Sequence, residues 1–185
     1  MNTSNTPQTY GNYRPLATEE INRPLFGAFI RRQEVNQCWR KSNGKWFIRP
    51  DPFVDDWTEE DYRQLIGSLK STLVSGGFVY GAFFQGQLKG FVSVEPTLFG
   101  GGQQYLDLTN LHVSLDMRRH GIGARLFQAA KDWARAHGAK KLYLSAHSAA
   151  ETQSFYLAMG CTDAQLYCQR HVEAEPFDRQ MECAL

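Results

Sequence analysis

At 185 residues, 42% of them hydrophobic and 21% charged, the chain suits one domain with a sizeable core. A formal net charge of +1 argues against bulk nucleic-acid binding, which rests on a basic excess. No stretch is apolar and long enough to cross a bilayer. The polar N-terminus lacks the apolar segment of a signal peptide, so the cytosol is the expected compartment.

Cys38, Cys161, Cys168 and Cys183 form no CxxC pair, and the five histidines form no HExxH. No metal site is therefore expected, and the cysteines are expected to be reduced.

Residues 1–9 are expected to be a flexible tail, and residues 10–185 a single domain. Tyr10 to Leu16 reads as a short first strand. Thr18 is placed to cap a helix, with Glu19 and Glu20 in its first turn. Ile21, Leu25, Ala28 and Phe29 follow at helical spacing, and Pro24 fits only near a helix start. The polar stretch around Val35, Cys38 and Trp39 reads as helical. Lys41 to Trp57 is rich in turn formers yet carries Trp46, Phe47, Ile48, Phe53 and Trp57. A loop with so many aromatics packs over a core or lines a pocket.

Thr58 and Asp61 make a capping box with Asp in place of Glu. The helix after it sets Tyr62, Leu65, Ile66, Leu69 and Leu73 along one side, and Gly76-Gly77 ends it. Phe78 to Phe84 and Leu88 to Glu95 read as a hairpin around Gln85-Gly86. Tyr105 to Val113 reads as a strand. It is followed by Arg118-Arg119-His120-Gly121-Ile122-Gly123 and a helix from Ala124 to His137, stopped by Gly138. Lys141 to Ala146 fits a buried strand after a crossover helix. A short helix from Ala149 to Met159 follows, then strand-like runs at Thr162 to His171 and Arg179 to Leu185. The order gives a mixed sheet with helices on its faces.

The glycine turn carries the functional signal. Gly121 and Gly123 sit where strand gives way to helix, and only a residue without Cβ lets a ligand lie close to the backbone. First-turn amides have no intrahelical partner, and the helix dipole favours an anion there. That reads as a pyrophosphate cradle. A plain helix start with a glycine-bearing turn gives the same pattern. The dinucleotide GxGxxG and the P-loop Gly-Lys-Ser/Thr are both absent.

Arg118-Arg119-His120-Gly121-Ile122-Gly123 matches the Gln/Arg-x-x-Gly-x-Gly/Ala signature of the GCN5-related N-acetyltransferases. Leu111-His112-Val113 resembles that family's lead-in strand. Ser154-Phe155-Tyr156-Leu157-Ala158-Met159-Gly160-Cys161 resembles its F-Y-x-x-x-G-F segment, with Cys161 in place of the last aromatic. The resemblance covers about Tyr10 to Leu185. It implies an α/β fold with a mixed, mostly antiparallel sheet of about seven strands, a splayed parallel pair and about four flanking helices.

The same resemblance implies acetyl-CoA as donor and a primary amine, expected on a small molecule, as acceptor; a protein or peptide acceptor, or a non-catalytic acyl-CoA-binding regulatory protein of the same fold, are the alternatives. Attack is direct, through a tetrahedral intermediate. The pyrophosphate would lie on amides from Arg119 to Ala124 after Arg118, including those of His120 and Ile122. The pantetheine arm would lie along Leu111, His112 and Val113. Tyr156 would be the acid beside the sulfur, where a phenol pKa near 10 suits a thiolate; its alternative role is packing on the sheet.

Asp107, in the middle of an apolar strand, is expensive unless used or paired. Its spacing before Arg118 matches the family's catalytic glutamate, and an Arg partner is the competing expectation. Glu95, at the preceding strand end, is the rival base. His112 falls on the opposite face from Asp107 if the strand is regular, and His147 is an outside candidate. Trp39, Trp46, Glu173 and Glu175 are candidate acceptor-binding residues, which favours a small cationic amine. A solvated acidic loop is the plainer reading of Glu173 and Glu175. The protein is expected to be a monomer or homodimer, without nucleic-acid or membrane partners.

Overall fold

The computed structural model describes residues 11–102 and 104–185, so the expected tail at residues 1–9 lies outside the described residues. A seven-stranded sheet runs in the order β1-β4-β5-β6-β7-β9-β8. Its strands are β1 (Asn12–Pro15), β4 (Phe78–Phe84), β5 (Gln87–Val94), β6 (Tyr105–Val113), β7 (Lys141–Ala146), β8 (Thr162–Asp163) and β9 (Arg179–Ala184). Only β6 and β7 pair in parallel; the other neighbours are antiparallel. The helices are α1 (Glu59–Val74), α2 (Ile122–Ala136), α3 (Ala150–Ala158) and α4 (Gln169–Ala174). β2 (Arg32–Ser42) and β3 (Lys45–Asp56) form a separate hairpin.

One core lies under α2, where Val92, Val94, Leu106, Leu108, Leu126, Leu142, Leu144 and Met181 are buried together. The other lies under α1, around Phe26, Phe29, Leu65, Leu69, Val79 and Phe91. The sheet separates them, as its alternating side chains require. α1 starts at the expected capping box: the Asp61 N–H donates to Thr58 Oγ1, and the Thr58 N–H donates to Asp61 Oδ2 at 2.7 Å. The β4–β5 hairpin turns on Gln85 and Gly86, both at positive φ.

Four expectations fail. The helix expected after Thr18 is instead two short 3₁₀ turns, Thr18–Glu20 and Arg23–Phe26. Asn22 accepts from the Leu25 N–H at 3.1 Å and restarts the chain at Pro24, which breaks the first turn off. The helical reading around Cys38 and the loop reading of Lys41 to Trp57 are replaced by the β2–β3 hairpin. Asn43 (φ 49°) and Gly44 (φ 75°) supply its turn, the pair that matches strand twist. The strand expected over Thr162 to His171 stops at Asp163, and Gln169–Ala174 is helical.

β6 also carries a bulge. Ser93 pairs with Asn110 and Val94 with Leu108, leaving Thr109 as an extra residue. Leu106 and Leu108 before the bulge, and Leu111 and Val113 after it, all face the α2 core. Asp107 and His112 therefore share the opposite face, which corrects the regular-strand expectation.

α2 approaches β5 at Gly90, where a Cβ would lie 2.9 Å from both Ile122 Cγ2 and Leu126 Cδ1. A Gly90→Val protein is expected to lose about 1–3 kcal/mol, the usual effect of overpacking. Urea unfolding with an unchanged midpoint would contradict this close packing.

Candidate active site

The cradle is built by the turn between β6 and α2. Arg119 (φ 65°) and Gly121 (φ 76°) both have left-handed backbone. Gly121 caps α2 without any side-chain bond. Among the described residues, no backbone N–H from Arg119 to Ala124 finds a partner. The first turn closes with the Arg125 N–H donating to Gly121 O at 3.1 Å. A run of unspent amides at a helix N-terminus fits a pyrophosphate. At Gly123 a Cβ would touch the Phe155 ring at 3.4 Å and Val113 Cγ2 at 3.7 Å, so little room is left for a larger side chain. Arg118 does not reach into the cradle. Its guanidinium donates to Val113 O at 3.3 Å and Arg32 O at 3.0 Å, fastening the turn to the base of the hairpin.

β6 and β7 pair only at Tyr105, Leu106 and Asp107, opposite Lys141, Leu142 and Tyr143. Beyond Asp107 they part. Leu111, His112 and Val113 remain bonded to β5, and their other edge faces the gap. Tyr156 on α3 is buried in the α2 core, packed edge-on against Phe127 at 5.9 Å and Phe155 at 5.1 Å. Burial pushes its phenol pKa up, so it stays a proton donor at neutral pH. The packing expected as the alternative role of Tyr156 is present.

On the opposite face of the sheet, Asp107 is buried and accepts from both Arg170 Nη2 (2.9 Å) and His171 Nε2 (2.7 Å) through Oδ2. Its Oδ1 is enclosed with no partner among the described residues. The Asp107 hydrogen bond raises the His171 pKa. Glu95 accepts from Thr72 Oγ1 at 2.7 Å, and its N–H donates to Asp107 O. His112 lies between Trp57 (4.8 Å) and Phe91 (5.3 Å). Burial first, then Arg31 and Arg118, drives its pKa well down. His147, edge-on to Phe53 at 5.5 Å, is lowered mainly by burial. Both rings are thus neutral at pH 7.

Arg31, which the sequence did not single out, is buried, pairs with Asp55 and lies 5.0 Å from the Trp57 ring centre. Trp39 and Trp46 pack around Arg179, whose guanidinium carbon lies 5.7 Å and 5.0 Å from their ring centres. They clamp the hairpin to β9. Glu173 is exposed and accepts from Gln169, and Glu175 is exposed at the end of α4.

The family model for the acetyltransferase (GNAT) family matches residues 37–161. The chain belongs to the GNAT family of acetyltransferases. Among solved structures, a nourseothricin acetyltransferase is 20% identical, with TM-score 0.69, over 94% of this chain and 96% of that one. A streptothricin acetyltransferase homologue from Bacillus anthracis str. Ames, solved with acetyl coenzyme A, is 16% identical, with TM-score 0.68, over 95% and 98%. The PaiA N-acetyltransferase of Thermoplasma acidophilum, solved with coenzyme A, is 15% identical, with TM-score 0.59, over 95% and 99%. At these identities the GNAT structures share its fold. No curated protein sequence matches the chain. No helix among the described residues is long and apolar enough to cross a membrane.

Asp178 supplies a pH test of this side of the GNAT domain. Burial, then the charge of Glu175, raises its carboxyl from 3.8 to about 7. The folded state holds this proton more tightly than the unfolded chain. Its contribution is therefore full below about pH 4 and lost as pH rises to about 7. Asp178→Asn is expected to melt like wild type near about pH 4 and higher than wild type near about pH 8. Parallel Tm curves for the two proteins would contradict the enclosed setting of Asp178.

Proposed function

We propose that this GNAT protein transfers the acetyl group of acetyl-CoA to a primary amine of a small molecule. The carrying observation is the run of unpaired amides from Arg119 to Ala124, beside the gap where β6 and β7 part. In this reading those amides hold the pyrophosphate, and the free edge of Leu111, His112 and Val113 receives the pantetheine arm. Acetyl-CoA supplies the acetyl thioester. In this reading Tyr156 gives a proton to the sulfur that leaves; its phenol is protonated at neutral pH.

A small acceptor is favoured by the hairpin, which closes one side of the gap. Cys38 bridges to Ala149, and the Trp39 N–H donates to Ser148 O at 2.8 Å. Val35, Cys38 and Ala149 are buried together there. The wall is fixed, whereas a protein substrate needs an open groove. Names among the solved relatives point the same way, with nourseothricin, streptothricin and aminoglycoside acetyltransferases all present.

The test is a panel of amines with acetyl-CoA, reading free thiol. It holds nourseothricin, aminoglycosides, polyamines and short peptides. Transfer to a small amine is expected; transfer to peptides alone would contradict the proposal. With a working acceptor, Tyr156→Phe is expected to bind acetyl-CoA as wild type does and to lose about 10- to 1000-fold in kcat. Unchanged turnover at a chemistry-limited step would remove Tyr156 from the acid role.

A further inference from the structure

The amine acceptor must lose a proton as it attacks, and Asp107 is poorly placed to take it directly. Its Oδ2 already accepts two hydrogen bonds, and its Oδ1 is enclosed. We propose that His171 is the base, with Asp107 as the positioning residue that orients it. This rests on the acetyl-transfer reading above and adds the group that handles the proton.

The geometry is that of a carboxylate–imidazole pair. Asp107 Oδ2 holds His171 Nε2 at 2.7 Å, which fixes the ring and leaves Nδ1 without a bond among the described residues. The ring is also stacked on Tyr143, with centres 5.8 Å apart at 30°. Tyr143 is the β7 partner of Asp107 in the last paired rung before the strands separate. His171 therefore sits over the point where the gap opens, on the face of the sheet opposite Tyr156 and the α2 core. Tyr156 and His171 therefore lie on opposite faces of the sheet.

The surroundings single out His171. Its side chain is 15% exposed and that of Arg170 is 70% exposed. The Arg170 contact is thus largely screened by solvent, and the imidazole is the enclosed partner. The groups facing His171 are Asp107 from β6, Tyr143 from β7, Arg170 from α4 and Glu175 just after it. From β9, Gln180 is occupied by Tyr143, and Glu182 by Tyr105 and Lys141. Glu95 is held by Thr72. Asp107 outweighs the rest and raises the imidazole's affinity for a proton.

The step balances. The amine nitrogen forms a bond to the acetyl carbon as the carbonyl π pair moves onto oxygen; that pair then returns, re-forming the carbonyl, and the carbon–sulfur bond breaks. Sulfur keeps the electron pair of the broken bond and takes its proton from Tyr156. The nitrogen's proton goes to His171 Nδ1, and the imidazolium is stabilised by Asp107.

A base must be neutral to act, so activity rises with pH through the folded pKa of His171. Asp107 lifts that value above the ordinary one of about 6.5, so Asp107→Asn is expected to move the acidic limb of kcat/KM to lower pH. NMR titration of the histidines in the ligand-free protein reads the same shift without turnover. His171 is expected to titrate above about 6.5 in wild type and lower in Asp107→Asn. With nourseothricin as the probe amine, His171→Gln is expected to lose the acidic limb and about 100-fold or more in kcat. Its calorimetric Kd for acetyl-CoA should stay at the wild-type value. The His171→Gln profile decides the matter even where Asp107→Asn does not fold.

A His171 pKa unmoved by Asp107→Asn, or an acidic limb that survives in His171→Gln, overturns the proposal alone. A wild-type protein that binds acetyl-CoA and acetylates no amine overturns the transfer reading, and the role of His171 with it.

Discussion

The parting of β6 and β7 after Asp107 is the constraint on which the rest of this structure depends. A buried sheet does not leave backbone edges unpaired without a use for them, because each unmet amide or carbonyl is expensive. Here three rungs are made and the ladder then stops. The bulge at Thr109 bends β6 away and shifts which side chains face which layer. It brings Asp107 and His112 to one face while Leu106, Leu108, Leu111 and Val113 stay on the other. Other elements then enclose the opening. α3 sets Tyr156 into the core on the α2 face, α4 sets His171 against Asp107 on the other face, and the β2–β3 hairpin is fastened near Ser148 and Ala149.

The enclosed groups around the gap share one electrostatic character. Burial lifts Tyr156 and Asp178 and depresses His112 and His147. In each case it favours the uncharged form, as desolvation must. The charged side chains nearby are paired instead: Arg31 with Asp55, Arg40 with Asp51, Arg179 with Asp163. His171 departs from the pattern, because its carboxylate partner outweighs its burial. In surroundings of low polarity, hydrogen bonds aimed at a developing charge are stronger than in water. The proposed base would act from such a lining, as the one carboxylate–imidazole pair among largely uncharged or paired groups of the described residues.

Local chemistry made much of this legible in the sequence. The Thr58–Asp61 capping box, the Gln85-Gly86 turn and the glycine turn before α2 each rest on a few adjacent residues, and each forms where expected. The β2–β3 hairpin had an equally local signal in Asn43-Gly44. It was obscured by the flanking prolines and polar residues, which read as loop. The bulge has no local signature, since Thr109 sits in an unbroken strand-like run. The partner of Asp107 was hidden for a different reason. His171 is far away in the chain, on a helix of six residues, and only tertiary packing brings the two together. Arg31 and Asp55 meet at the base of the β2–β3 hairpin and were missed with it.

The central claim is that the unpaired amides from Arg119 to Ala124 receive the pyrophosphate of coenzyme A. Amide-resolved NMR with two ligands tests it directly: acetyl-CoA, and S-acetylpantetheine, which carries the arm without the pyrophosphate. The amides of residues 119 to 124 are expected to shift strongly with acetyl-CoA and to stay near their free positions with S-acetylpantetheine. Those of Leu111 and Val113 should respond to both. Equal responses of residues 119 to 124 to the two ligands, or none to either, would contradict it.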